Sequence, residues 1–193
     1  MSHAFRRVVV ATVAVLCAVS ALVCLRTVRE VRSLIHPRRS PLTESQQAEA
    51  RSLLPGLETI ELHTGDGLRL RGWFSPGIAR SAVVLIHGLS DNRAELLPEA
   101  TLLSHHAHGV LLFDSRASGE SDGEVATWGD RERLDVLAAL DFLSARSDVD
   151  PARIGLYGFS VAAAPVALVA ATDFRVRAAA MSASWPSLTN AAF

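Results

Sequence analysis

The chain has 193 residues, 49% of them hydrophobic and 20% charged. That is apolar material enough to bury the core of one domain with an appendage, and it excludes disorder as the default state. The formal net charge is −1 and all 19 basic residues are arginine, a balance that excludes the basic footprint of a nucleic-acid-binding protein.

The N-terminus comes first. Val8–Leu25 reads "VVVATVAVLCAVSALVCL", without a charge and bracketed by Arg6, Arg7 and Arg26. A helix of this length spans about 27 Å, close to the hydrocarbon thickness of a bilayer. Residues 1–25 are therefore expected to form a single-pass membrane anchor. A cleaved signal peptide is the alternative, since Val19-Ser20-Ala21 resembles a cleavage site, but four more apolar residues follow that site. The arginines after the segment outnumber those before it and lean toward a cytoplasmic domain. The short basic start leans the other way, so the side stays open. Cys17 and Cys24, the two cysteines, both lie in this segment and read as small apolar residues. Residues 26–55 read as a juxtamembrane connector, with a basic helical start, "RTVREVRSLI", and breakers in "HPRRSPLTESQQ".

From residue 56 onward the pattern is that of a globular domain. Two alternating runs flank Gly65-Asp66-Gly67 and predict a β-hairpin. "AVVLIHG" (82–88), "VLLFD" (110–114) and "RIGLYG" (153–158) are apolar runs of the kind found in strands buried on both faces. "VRAAAMSA" (176–183) predicts a further strand. Between them, 92–109, 128–146 and 160–171 read as helices, with Asn92 as an N-cap and Gly109 as a C-terminal stop. Val136, Leu140 and Leu143 share one face of the second. Alternating strands and helices predict an α/β fold, a mostly parallel sheet with helices on both faces.

In such sheets ligands bind beyond the carboxyl ends of the strands. Three of those ends carry marked residues: His87-Gly88-Leu89, Asp114-Ser115-Arg116 and Gly158-Phe159-Ser160. Gly158-x-Ser160-x-Ala162 matches the nucleophile elbow, with alanine for the last glycine. A serine on so sharp a turn needs small neighbours two residues away, and the helix that follows favours developing negative charge. The His87 ring is expected to be buried and satisfied by backbone. The functional atom there is the Leu89 N–H, which with the Val161 N–H would form an oxyanion hole, Gly88 permitting the turn. "HHAH" (105–108) falls at a helix end with no carboxylate beside it and reads as solvated. No metal and no cofactor is expected.

In "VVLIHGLSDNRAELLPEA", "VLLFDSRASGESDGE", "WGDRERLDVLAALDFL", "DPARIGLYGFSVAAA" and "DFRVRAAAMSASWPSL" the chain resembles the α/β-hydrolase superfamily. Its serine hydrolase and serine aminopeptidase-like branch is the nearest. The match runs in family order over residues 57–188. The resemblance implies Ser160 as nucleophile and the amides of Leu89 and Val161 as oxyanion donors. His87, Gly88, Asp114 and Gly158 would support the site, and the substrate would be a small ester, acyl compound or peptide. Ala162 and Ala117 replace glycines usual in the family. The family order is serine, then acid, then histidine. After Ser160 the chain has one acidic residue, Asp173, and no histidine. The resemblance therefore implies a form truncated after the sixth strand, weak or inactive by itself. A catalytically inactive hydrolase-like binding or anchoring protein is the alternative. The run 176–183 would then be an exposed edge open to self-association.

Overall fold

A computed structural model of the protein describes residues 3–183. Contacts divide the chain into two compact units, Met1–His36 and Pro37–Phe193.

The first unit is one helix, α1 (His3–Ile35). It is long and apolar enough to cross a membrane, a property that signal sequences share. Helix continues without a break from the apolar stretch into the basic one. Thr12 and Thr27 turn their hydroxyls back onto the carbonyls of Val8 and Val23.

In the second unit, the stretch expected to be a connector instead holds a helix, α2 (Glu44–Leu53). Thr43 and Gln46 close a reciprocal capping box at its start, the Thr43 hydroxyl accepting from the Gln46 N–H and the Gln46 side chain from the Thr43 N–H. Ala50 and Leu54 are buried in the core.

Six strands form a mixed sheet: β1 (Glu58–His63), β2 (Arg69–Ser75), β3 (Ala82–Ile86), β4 (Gly109–Phe113), β5 (Ile154–Phe159) and β6 (Val176–Ser182), in the order β1-β2-β4-β3-β5-β6. β1 pairs antiparallel with β2, and β2 with β4. The pairs β4–β3, β3–β5 and β5–β6 are parallel. The hairpin turns at Gly65-Asp66-Gly67 as expected, with Gly67 at φ 89.

Alternation along the strands sorts the core into two layers. Phe74, Val84, Ile86, Leu111, Phe113 and Leu156 face α4 (Glu132–Ser144) and α5 (Ala163–Ala170). Trp73, Leu85, Val110 and Leu112 face α2 and α3 (Leu97–His105). Both faces are covered, which is why the central strands read as continuous apolar runs.

Three helix boundaries differ from expectation. The helix expected over 92–109 is a 3-10 turn (Arg93–Leu96) followed by α3. The chain leaves that helix through Ala107, at φ 68, and Gly109 already belongs to β4. α4 starts at Glu132 because residues 127–129 are folded onto the Glu132 carboxylate, which accepts from the amides of Thr127 and Gly129 and the Thr127 hydroxyl. The helix expected from 160 begins as a 3-10 turn, Ser160–Ala162.

Candidate active site

The parallel register brings the marked strand ends together. Ile86 pairs with Phe113 on one side and Gly158 on the other. The next residues, His87, Asp114 and Phe159, therefore emerge side by side at one edge of the sheet. A cleft at this edge is lined by His87, Leu89, Ser115, Trp128, Val161 and Pro165, among others. Asp114 and Gly158 stay beneath it.

Ser160 follows β5 at φ 55, in the left-handed region that a residue with a side chain enters only under constraint. Gly158 shows the constraint. A Cβ there would lie 2.7 Å from the Ala162 carbonyl oxygen and 2.9 Å from Val166 Cγ2. The chain must turn this tightly to start α5 against the strand. Ala162, 4% exposed, fits beside it, so the alanine in place of the family's glycine does not open the turn. The Ser160 carbonyl accepts from the Ala163 N–H. Among the described residues the Ser160 hydroxyl has no hydrogen-bond partner.

His87 is buried, and its two ring nitrogens are both engaged. Nδ1 lies 2.6 Å from the Gly88 carbonyl oxygen, and Nε2 lies 3.1 Å from the Ser115 amide nitrogen. A carbonyl can only accept and an amide N–H can only donate, so the ring is neutral with its proton on Nδ1. The Gly88 N–H donates to Glu95 Oε2 at 2.7 Å. A Cβ at Gly88 would press Phe159 at 3.2 Å. These bonds fix the turn and leave the next amide, Leu89, without a partner among the described residues. The Val161 amide is likewise without one. The chemistry at this edge is a free serine hydroxyl close in the chain to one free N–H, with a second on the neighbouring strand end.

The Asp114 side chain is fully buried and points into the fold. Its carboxylate accepts from the amide of Arg93 (2.7 Å), the Arg93 guanidinium (2.5 Å) and the amide of Glu120 (2.9 Å). It ties the loop after β3 to the loop after β4. Arg116 does the same across a longer span, bonding Asp135 on α4 through its amide, Nε and Nη2, and Asp66 in the hairpin turn through Nη1 and Nη2. The guanidinium and the Thr64 hydroxyl hold Asp66 down at about 2. Burial pushes Asp135 up to about 6 in spite of Arg116 beside it. Arg39 completes the frame. Its guanidinium donates to the carbonyls of Ser121 (2.6 Å) and Gly123. Sequence reasoning missed Arg39, Arg93, Glu95 and Glu132 as positioning groups. For Glu132 a signal existed, an acid three residues after a glycine at a helix start; the others act across distances that no local pattern encodes.

The histidine run lies apart from this edge. His105 ends α3 and His108 Nδ1 sits 2.7 Å from the Ser81 hydroxyl at the opposite end of the sheet. No group of His, Cys, Asp or Glu that could hold a metal ion occurs among the described residues. Asp173 is paired with Arg175 in the turn before β6, also at the far end.

Comparison with known proteins agrees with this architecture. A family profile described as alpha/beta hydrolase fold matches residues 81–193. The polyketide transferase af380 of Aspergillus fumigatus is 39% identical over 126 residues, covering 63% of this chain and 43% of that protein. The thiohydrolase aneE of Aspergillus aculeatus is 37% identical over 122 residues, covering 61% and 38%. The solved structure of the Pyrococcus furiosus esterase Pf2001 superposes with a TM-score of 0.67 at 26% identity, covering 75% of this chain and 56% of the esterase. The chain thus spans about half the length of the relatives it matches. With a matching profile over more than half of its residues and strand ends converging on a serine turn, the chain belongs to the alpha/beta hydrolase fold family.

Proposed function

We propose that the protein is a membrane-anchored serine acyl hydrolase or acyltransferase in which Ser160 is the nucleophile and the Leu89 and Val161 amides hold the oxyanion. The observation that carries this is the Ser160 turn: a strained backbone holds a hydroxyl that has no partner among the described residues, directly before Val161, which lines the cleft together with Leu89. Ser160 Oγ would attack the carbonyl carbon, moving its π pair onto the oxygen, where the two N–H groups stabilise it. Collapse of this adduct expels an alcohol or thiol, which takes up a proton, and leaves an acyl-serine for water or another acceptor. Sequence alone allowed ester or peptide bonds. Esterase and thiohydrolase are activities in the names of the relatives, so oxygen esters and thioesters come ahead of peptides.

The step needs a base for the serine proton. His87 is committed at both nitrogens, and no histidine follows Ser160 in the sequence. The first reading requires a base that no histidine among the described residues supplies to Ser160. The same two observations favour the second reading, a hydrolase-like binding protein without turnover.

Chemical rescue separates the two. The purified chain is treated with a fluorophosphonate probe with and without added imidazole, beside Ser160→Ala. Faint labelling that imidazole strengthens and Ser160→Ala abolishes is the expected result. Labelling that stays absent with imidazole supports the binding protein, and strong labelling without it means that a base is already present.

A further inference from the structure

Trp128 is the largest of the side chains that line the cleft, and the loop that carries it is tightly held. Glu132 Oε1 accepts from the Thr127 N–H at 2.7 Å, and Oε2 from the Thr127 hydroxyl and the Gly129 N–H, both at 2.7 Å. The Thr127 hydroxyl accepts in turn from the Arg131 N–H at 2.8 Å. A Cβ on Gly129 would lie 3.0 Å from Ala164 Cβ, so the loop also packs on the first turn of α5, just after Ser160. Trp128 itself sits at φ 57, a conformation that persists only where the surroundings over-determine it. The indole is thus a fixed wall of the cleft.

The space it borders is small. The cavity volume is about 30 Å³, room for about two water-sized groups at the roughly 10–15 Å³ that each needs. Ile86, Leu89, Phe113, Val161 and Pro165 add apolar surface beside the indole. Three titratable residues also line the cleft, and each is committed elsewhere. His87 has both nitrogens on backbone groups. Glu132 has both oxygens on its own loop. The Arg116 guanidinium is spent on Asp66 and Asp135. Among the described residues, none that lines the cleft is left to neutralise a charge on an entering group, and an unpaired charge is costly to bury.

Leu89 and Val161, whose amides would hold the oxyanion, line this same cleft, so a group on the reacting carbonyl carbon has it for a neighbour. We propose that the cleft is the acyl pocket, that Trp128 sets its length, and that the substrate class is an ester or thioester of an uncharged acyl group of about two or three carbons. The alcohol or thiol then lies outside the cleft. This rests on Ser160 being the nucleophile.

The test treats the full chain with alkanesulfonyl fluorides in added imidazole and follows adducts by intact mass, with Ser160→Ala as background. Ser160 Oγ bonds to sulfur, fluoride leaves, and imidazole takes the serine proton. The alkyl group is the only organic group on sulfur and stands where the acyl chain would. Rates are divided by those of probe hydrolysis in the same buffer. Across methyl, ethyl, butyl and octyl, the rate should hold to ethyl and fall about tenfold or more by octyl. A 2-carboxyethyl probe should react about tenfold more slowly than propyl. Trp128→Ala should raise the octyl-to-methyl ratio about tenfold. Should that variant not fold, Trp128→Leu is read in its place, and the wild-type series stands by itself. A flat wild-type series, a carboxylate probe as fast as propyl, or a folded Trp128 variant with the wild-type ratio overturns the proposal and leaves Ser160 standing. No Ser160-dependent adduct from any probe overturns the nucleophile reading, and this proposal with it.

Discussion

The Ser115 amide donates to Nε2 of His87 across 3.1 Å, and this one bond removes from His87 the lone pair that a general base would use. His87 is thereby a structural residue at the centre of the site. His87→Ala should lower stability by about 1–3 kcal/mol, the usual cost of stranding buried polar partners, as read by chemical denaturation. Labelling of Ser160 should stay at its wild-type level per folded molecule. A loss of labelling that tracks imidazole titration in wild type would instead make His87 the base.

The two glycines of the site should respond very differently to a methyl group. Gly158→Ala sets a Cβ against backbone, 2.7 Å from the Ala162 carbonyl oxygen. Gly88→Ala meets the edge of the Phe159 ring at 3.2 Å, and a side chain can yield. Overpacking of the first kind costs about 1–3 kcal/mol or more. Denaturation midpoints should rank wild type above Gly88→Ala and Gly88→Ala well above Gly158→Ala. Equal midpoints for the two variants would mean that the Ser160 turn is looser than its geometry indicates.

The Asp66–Arg116 pair makes a pH prediction with a definite sign. Asp66 is lowered from 3.8 to about 2, so the folded state holds its proton less tightly than the unfolded chain. Its contribution is present above pH 4 and is lost as pH falls from 4 toward 2. Asp66→Asn should be less stable than wild type at pH 7, and the gap should close across that window. A gap that stays constant from pH 7 to pH 2 would show that Asp66 does not act through its charge.

The sheet ends on β6, whose residues Arg177 to Met181 are exposed and which pairs only with β5 among the described residues. An open edge of this kind invites pairing with another chain. Residues 37–193 should run as dimers or larger species in size-exclusion chromatography, and Ala180→Lys should shift them toward monomer. A sharp monomer peak for the unmodified unit would remove self-association through this edge.

Much of this fold was legible in the sequence because its strands are covered on both faces. Burial forces "AVVLI", "GVLLF" and "IGLYGF" into uninterrupted apolar runs, and the small residues around Ser160 announce a tight turn. Helix α2 escaped because "ESQQAEARSL" touches the core through little more than Ala50 and Leu54, although the Thr43-x-x-Gln46 cap was there to be read. The roles of Arg39, Arg93 and Arg116 were not legible. Each bonds a partner 19 to 84 residues away, and only the closed fold brings them together. Asp114 illustrates the point. Its place after β4 marked it as near the site, but where its carboxylate points depends on Arg93 and Glu120.

Ser90, Ala117, Trp128 and Ser160 all carry side chains at positive φ, between 55 and 64, and all lie at the edge that bears the cleft. Each such residue stores roughly 1–3 kcal/mol, and glycine would release it. The most stabilising replacement at position 160 is thus also the one that removes the hydroxyl. Selection for thermal robustness alone would drive this edge toward glycine. A directed-evolution experiment that screens only for heat resistance should therefore select against the serine itself, and the residues it refuses to relax would be those on which folding, and not chemistry, depends.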